Sequence, residues 1–583
     1  MATDADDAPL LADEPHRPGA CSRELELREF RDRYVIRSLD GGGAFAVARS
    51  DGSLRPLSPD EAAAGSGCKV SRIYGVAGII RLLAGSYILV ITSRKDAGSY
   101  QGSPVYHVNS MKFLCCNEAI KNLTSQEKRD ESYFMSLLRI AETTCGLYYS
   151  YDRDLTLNLQ RASKLASGRI HKPLWKQADP RFVWNKHLLE ELIEAKAAQF
   201  TLKNTPVRIT LFSRRCNRRL GTRMWRRGAN LEGATANFVE TEQLVEYDGL
   251  TSSFIQVRGS IPLLWEQIVD LSYKPRLSII EHDETPKVIQ RHFHDLSQRY
   301  GETVVIDLTD KQGDEGNLSN AFAAEMERIP GVRYVHFDFH HVCRGGNFDN
   351  LQVLYNQIEE TIQKQGRYFL MNSKGEILLE QSGVVRSNCI DCLDRTNVTQ
   401  SFLARKSLDS QLQRMGALSS TESISLSDHI NDTFKKLWVE HGDELSLEYA
   451  GSYALKGDLV RYGRQTLPGL VKDGMSALSR YYLNNFHDGV RQDALDLISG
   501  YYTVSQGRSF QVGGFESASY LPVASAIIVG GITATTFTLS QVGRNAQHFI
   551  SSIICAGLTA GVVALVKANG KQFCSRPRLC GLI

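Results

Sequence analysis

Nothing at the amino end of this sequence resembles a secretion signal: the first 20 residues, MATDADDAPLLADEPHRPGA, have neither a basic start nor an apolar run. They are acidic, small and punctuated by proline, the composition of a disordered tail. An excess of one charge is also missing. The 68 Lys and Arg residues against 65 Asp and Glu leave a net charge of +3, too little for the total to imply nucleic-acid binding. Twelve cysteines are present but lack regular spacing, which excludes a disulfide framework and suits a reducing, cytosolic setting. No internal repeat is evident. At 583 residues and 42% hydrophobic content, the chain supports two or more globular domains.

One segment concentrates chemistry. In RSNCIDCLDRTNV, Cys389 and Arg395 are separated by five residues, the arrangement that builds a phosphate-sized cradle around a nucleophilic sulfur. A free thiol, with a pKa near ~8.5, is competent only where positive charge and backbone N–H groups stabilise its thiolate. Gly383 to Ser387 reads as a strand end, and Val398, Phe402, Leu403 and Leu408 recur at helical intervals after it. The spacing therefore predicts a strand-to-helix turn whose amides converge at the positive end of a helix. Asn388, Ile390, Cys392, Leu393 and Thr396 are the loop positions expected to hold a phosphate, with Arg395 closing the ring through its planar fork. Asp391 is the first choice to protonate the leaving oxygen and then activate water, with Asp394 orienting the arginine or the loop. Asn388 and Asn397 brace the loop from behind. Cys389 and Cys392 also make a CxxC pair, which reads alternatively as a redox couple or half a zinc site. No second CxxC or spaced histidine pair supports zinc, whereas capture of an oxidised Cys389 by Cys392 remains open.

The segment resembles the signature of the Sac family of phosphoinositide phosphatases, and further blocks resemble the same family. These are YYSYDRDLTLNLQR from Tyr148 to Arg161, ANFVETEQ from Ala236 to Gln243, FIQVRGSIPLLWEQ from Phe254 to Gln267 and HFDFHHVCRGG from His336 to Gly346. Ser387 stands where the family often has threonine, which keeps the hydroxyl. The resemblance covers roughly Tyr34 to the early 500s. It implies removal of phosphate from the inositol ring of membrane lipids, foremost phosphatidylinositol 4-phosphate, with no cofactor and no metal ion. A phosphotyrosine phosphatase with the same loop, or a catalytically weak phosphoinositide-binding tether, is the competing reading.

The expected fold class is α/β: a disordered tail at 1–20, a β-rich N-terminal Sac subdomain at 21–178, and an α/β cysteine-phosphatase domain at 179–455. A C-terminal extension or linker at 456–516, two transmembrane helices at 517–567 and a basic cytosolic tail at 568–583 complete the chain. SYILVITS at Ser86 to Ser93 reads as a strand, and Ser125 to Thr143 as a helix burying Phe134, Leu137, Leu138 and Ala141. The polar stretch from Arg161 to Lys176 is the expected joint between the two units. In the second unit, Val207 to Phe212, Thr303 to Leu308 and Arg333 to Phe339 read as strands, and Asn317 to Ile329 and Asn350 to Gln363 as helices. Such alternation favours a sheet with the phosphate loop at the carboxyl end of a strand.

SRRCNRRLGTRMWRR carries Arg214, Arg215, Arg218, Arg219, Arg223, Arg226 and Arg227. It is expected to face an anionic membrane or headgroup, through Arg215, Arg218, Arg223 and Arg227 in particular, with Trp225 at the lipid interface. RNA binding and a solvated, paired loop are the alternatives. In FDFHH, Asp338 and His340 would share a strand face and invite a metal, or Asp338 would serve as the acid in place of Asp391. No charged side chain occurs between Glu516 and Arg544, and Leu521 to Ser540 is long enough to span a bilayer. Phe549 to Val566 is a second run, and Gly557 with Gly561 forms a GxxxG step expected to bring the two helices together. Buried core helices are the alternative for both runs. Lys567, Lys571, Arg576 and Arg578 follow the second run whereas Arg544 is alone in the connecting loop, so both ends are expected in the cytoplasm. The final CGLI resembles a prenylation box but reads as incidental. The two-span members of the resembling family imply the endoplasmic reticulum membrane, with Golgi cycling. The expected partners are membrane phosphoinositides and no nucleic acid.

Overall fold

A computed structural model describes residues 22–40, 43–65, 67–116, 123–169, 177–189, 208–344, 348–418, 423–424, 428–462, 465–504, 516–540 and 546–579. The expected tail at 1–20, part of the Arg161–Lys176 joint, Arg544 and the CGLI ending lie outside them.

Strands β1 (Leu25–Glu29), β2 (Arg33–Ser38), β3 (Ala44–Ala48), β4 (Leu54–Leu57) and β5 (Lys69–Ile73) form an antiparallel sheet in the order β4-β3-β2-β1-β5. Strands β6 (Gly75–Arg81), β7 (Ser86–Tyr100), β8 (Ser103–Cys116) and β9 (Tyr148–Tyr149) make a second sheet in sequence order. The short helix α1 (Pro59–Ala63) belongs to the first, and α2 (Ser125–Glu142) packs on the second. A capping box starts α2: the Thr124 hydroxyl accepts from Glu127 N–H while the Glu127 carboxylate accepts from Thr124 N–H. Its buried face is Phe134, Leu137, Leu138 and Ala141, as the spacing predicts.

Next come α3 (Leu159–Arg169), α4 (Lys186–Leu189) and the strands β10 (Arg208–Arg215), β11 (Val239–Tyr247), β12 (Leu250–Arg258), β13 (Trp265–Gln267) and β14 (Leu277–Ile279). Helix α5 (Thr285–Tyr300), β15 (Glu302–Asp307), α6 (Gly313–Met326), β16 (Val332–His336), α7 (Phe339–Val342) and α8 (Leu351–Lys364) follow. The unit continues with β17 (Phe369–Met371), β18 (Ile377–Leu379), β19 (Gly383–Asn388), α9 (Asp394–Arg414) and α10 (Asp428–Ala450). The main path of the sheet runs β10-β11-β12-β19-β15-β16, and β19 is parallel to both of its neighbours. Val305 and Val384 face Phe293 of α5 and Phe322 of α6, whereas Val304, Ile306 and Val385 face Ile358 of α8 and Leu403 of α9. Alternate side chains thus feed two cores, and the near-continuous apolar run in β15 is what a doubly covered parallel strand requires.

One reading needs correction here. The strand expected to reach Phe339 ends at His336, because the Asp338 carboxylate accepts the His341 N–H (3.0 Å) and caps α7. Asp338 and His340 therefore share no strand face. The described part of 456–516, expected to be a C-terminal extension or linker, folds into α11 (Gly457–Tyr462), α12 (Leu467–Phe486) and α13 (Asp488–Ile498) before α14 begins at Glu516. Ala494, Leu497 and Ile498 of α13 share a core with Phe134 and Leu137 of α2.

Helices α14 (Glu516–Ser540) and α15 (Ala546–Ala568) pack side by side, and the short α16 (Gly570–Phe573) follows. One stretch, His548–Ala568, is long and apolar enough to cross a bilayer, and the apolar part of α14 found among described residues is the shorter Ala526–Ser540. Ile532, Phe537, Ile553 and Leu558 are more than half exposed, so these are not buried core helices. Gly557 and Gly561 face open space; the close approach is instead at Gly531, where a Cβ would run into the Thr559 side chain.

Candidate active site

The cysteine loop springs from the carboxyl end of β19 and runs into α9. Its base is tied down by Asn388, whose amide donates to Asp307 Oδ1 (2.8 Å), while Asn388 Oδ1 accepts from Arg386 (3.0 Å). Cys392 takes φ +57°, a left-handed turn that aims its N–H at Cys389 Sγ (3.1 Å). The Thr396 hydroxyl donates to the same sulfur (3.4 Å). Burial alone would raise the Cys389 thiol, but Cys392, Arg395 and Thr396 bring it below its ordinary value against the opposing charge of Asp391. Cys392 itself is pushed well above its own, by burial and by its neighbour Cys389. The pair is thus split into one thiolate-prone sulfur and one inert thiol.

Asp391 is not on the rim. Its Oδ1 lies 3.5 Å from Cys389 Sγ and accepts from Leu393 N–H (3.3 Å), while Oδ2 accepts from Arg223 Nε (3.1 Å). Burial would raise this carboxyl, yet Arg223, Arg227, Arg480 and Arg395 together hold it well below the usual carboxylate range. So placed, it sits as an anion in an anion-binding nest. Asp394 does not touch Arg395; it accepts from Leu455 N–H (2.7 Å) and Arg480 Nη1 (3.1 Å). Burial raises it above the normal range although Arg480 opposes the rise. Arg395 is clamped by Glu315 (2.8 Å), Asp310 (3.3 Å) and Leu308 O (3.1 Å).

The arginine-rich segment divides. Arg223 reaches Asp391, and Arg227 donates to Ile390 O (2.9 Å) and Gln267 (2.7 Å), so both belong to the loop's wall. Arg215 instead donates to Gly221 O (2.8 Å), and the exposed Arg218 lies 3.6 Å from Asp295. Arg214 is buried between Glu240 and Glu242, and Arg226 against Asp496. Trp225 is buried with Met224, Val269 and Cys574, not at a lipid interface. Carboxylates remote in sequence turn Arg214, Arg223 and Arg226 inward, so the seven arginines do not form one exposed face, whereas Arg223 and Arg227 stand at the loop, where a headgroup rather than a membrane surface would meet them.

Sequence reasoning assigned no role to Arg258, Arg386, Asn237, Glu315 or Arg480. Arg258 and Arg386 are fully buried beneath the loop and are both pushed down to about 10 by burial, with the nearby cysteines opposing. Arg258 donates to Gln400 (2.8 Å) and Asn397 (3.2 Å) while its Nη1 has no hydrogen-bond partner among the described residues. Asn397 in turn donates to Trp438 O (2.9 Å), which makes it a brace from behind. Asn237 donates to Asp391 O (3.1 Å). The signal was available for three of these: Asn237 and Arg258 fall in two of the family-like blocks, and Arg386 is three residues before the cysteine. Arg480 lies too far along the chain for any spacing argument.

Residues 74–344 match the model of the SacI homology domain. Phosphoinositide phosphatase SAC8 of Arabidopsis thaliana is 61% identical over 96% of this chain and 98% of its own length. This chain belongs to the Sac family of phosphoinositide phosphatases. Phosphoinositide phosphatase SAC6 of the same plant is 46% identical over 95% of this chain and 98% of its own. Phosphatidylinositol-3-phosphatase SAC1-B of Danio rerio is 36% identical over 87% of this chain and 89% of its own. As a Sac protein it keeps its cysteine loop beyond the matched SacI segment, on the strand that β12 and β15 flank.

Proposed function

We propose that this enzyme hydrolyses phosphate monoesters on the inositol ring of membrane phosphoinositides, foremost phosphatidylinositol 4-phosphate, through a phosphocysteine. The observation that carries the reading is the nest around Cys389, which already holds an anion in the form of the Asp391 carboxylate. A substrate phosphate takes that carboxylate's place against the Leu393 N–H and Arg223. Asp391, released from Arg223, then regains a proton and faces the leaving oxygen.

In the first step the Cys389 thiolate attacks phosphorus, the bond to the inositol oxygen breaks, and Asp391 gives that oxygen its proton. Water then attacks the phosphocysteine, Asp391 takes up the released proton, and inorganic phosphate leaves with the thiolate restored. Arg395 supplies the planar fork once phosphate competes with Glu315 and Asp310 for it. The loop amides and fixed arginines act where charge gathers, without reorganising during the reaction.

Both α14 and α15 enter the membrane of the endoplasmic reticulum in this reading, with catalytic body and tail facing the cytoplasm. Support comes from the basic residues after α15 and from the tail itself, whose Ser575 N–H donates to Asn485 O on α12 (2.7 Å) and Arg578 N–H to Asp493 on α13 (2.8 Å). The test is phosphate release by the full chain in vesicles, beside Cys389→Ser, with each monophosphorylated isomer and a phosphotyrosine peptide. The 3-phosphate isomer is the pointed comparison, because the Danio rerio relative is named for that position. Release that survives the serine substitution refutes the phosphocysteine, and faster release from the peptide than from any lipid refutes the substrate class.

A further inference from the structure

Helix α12 turns an apolar face outward. Leu467, Leu470, Val471, Met475, Leu478 and Tyr482 are each between 52% and 80% exposed. At 100° per residue they fall within one contiguous face. Gly474, in the middle of that face, meets open space. The opposite face is polar and buried: Arg480 donates to Asp394 (3.1 Å), Ser452 (3.1 Å) and Ser446 (2.9 Å). An exposed apolar stripe of this length on a soluble surface marks a contact with something else.

What covers it follows from the chain around it. At the carboxyl end of α12 the same face is already met by the tail that emerges from α15: Cys574 Sγ lies 3.3 Å from Asn485 Oδ1, and Ser575 N–H donates to Asn485 O (2.7 Å). Beside it, Tyr481 donates to Leu271 O (2.9 Å), and Gly570, two residues beyond the end of α15, packs on the backbone of Asp270. The end of the apolar helix α15 and the apolar face of α12 are thus joined through Asp270, Leu271 and the tail. A bilayer that receives α15 is the surface continuous with α12.

We infer that α12 is a further membrane element, lying in the interface of the same bilayer that α14 and α15 enter, with its outward face in the headgroup and acyl boundary. The inference rests on the membrane-lipid reading above. Through Arg480 and Asp394, the first residue of α9, it fixes the cysteine loop at that bilayer's surface, so substrates are drawn from the enzyme's own membrane.

The test uses the full chain reconstituted in vesicles whose lipids carry bromine high on the acyl chains. Met475→Trp is compared with Val353→Trp, which places the same probe on the exposed side of α8. The fluorescence added by Met475→Trp is expected to be quenched at least twofold more than that added by Val353→Trp. Equal quenching overturns the inference, as does cross-linking of α12 between two copies in place of quenching. Independently, Leu470→Glu with Leu478→Glu is expected to slow release from vesicle-borne substrate at least fivefold while a water-soluble short-chain phosphoinositide is turned over within twofold of the parent rate. Equal losses on both substrates overturn the positioning role. If the unsubstituted enzyme releases nothing from either substrate, the phosphatase reading fails, and quenching still decides whether α12 meets the bilayer.

Discussion

Replacing Arg214 by methionine separates an internal role for the arginine-rich segment from a lipid-facing one. Arg214 is 3% exposed and lies 3.1 Å from Glu240 and 2.8 Å from Glu242, both fully buried. Its remaining donors reach Leu155 O (2.6 Å), Leu157 O (3.0 Å) and the Tyr100 hydroxyl (3.0 Å), which ties the N-terminal unit to the catalytic sheet. Methionine fills much of the volume but leaves two buried carboxylates with hydroxyl and amide donors and no cation. Removing one member of a buried ionic set costs about 3–5 kcal/mol, a large part of the 5–15 kcal/mol that holds a typical domain together. With a urea slope near ~3 kcal/mol/M, the unfolding midpoint should fall by at least about 1 M. Arg218→Met is the matched control, since its exposed pair with Asp295 at 3.6 Å is of the kind that contributes at most ~1 kcal/mol. The assay is urea unfolding of the detergent-solubilised full chain followed by tryptophan fluorescence, alongside vesicle binding at several salt concentrations. Equal midpoints for the two variants, with salt-dependent binding lost only in Arg214→Met, would refute the internal assignment.

Three other outcomes follow from the geometry. Because the Cys389 thiol is lowered in the folded protein, activity should persist below pH ~8.5 and fall as the thiolate itself protonates. A thiolate absorbance difference between the parent and Cys389→Ser, recorded against pH, should follow the same curve, and a midpoint at or above the free-thiol value would contradict it. Glu448 is raised from its ordinary 4.5 to about 7 by burial, opposed by Arg215 and helped by Glu444. A carboxyl raised on folding contributes stability that is present below 4.5 and lost as pH climbs through about 7. Glu448→Gln should therefore flatten the decline in melting temperature between pH 5 and pH 8, and an unchanged decline would count against the assignment. Between α14 and α15, Gly531→Leu should abolish disulfide formation between cysteines placed at Thr538 and Ser552, whose hydroxyls are 2.7 Å apart, whereas Gly557→Leu should leave it intact.

The elements were legible in the sequence where one face or both faces of an element are apolar. The helix from Ser125 is legible from its periodic apolar face, and the strand beginning near Thr303 from a short β-branched apolar run. The turn from strand to helix around Cys389 is legible from the composition on either side. What local patterning could not convey was the partnership of charges. Seven arginines in one short segment look like a surface, and only the fold reveals that Glu240, Glu242, Asp391 and Asp496 meet three of them, Arg214, Arg223 and Arg226. Asp391 was legible as a carboxyl near the nucleophile but not as the anion seated in the nest, because that depends on Arg223, which is 168 residues away. The glycine contact between the apolar helices was misplaced for a related reason: a GxxxG step marks a smooth face, and which smooth face meets a neighbour depends on the partner's side chains.

The docked tail has a consequence for how the molecule is made. Cys574 completes the cluster of Met224, Trp225 and Val269, and the Arg578 and Leu579 amides complete the hydrogen bonds of Asp493. Those sites are synthesised early, yet their last partners leave the ribosome only after the apolar helices do, and chains emerge at roughly 5–20 residues per second. The wall beside the arginines that line the cysteine loop therefore lacks these partners until residues 574–579 have been made, so this seam of the catalytic body closes last and cannot form while the chain is still being synthesised.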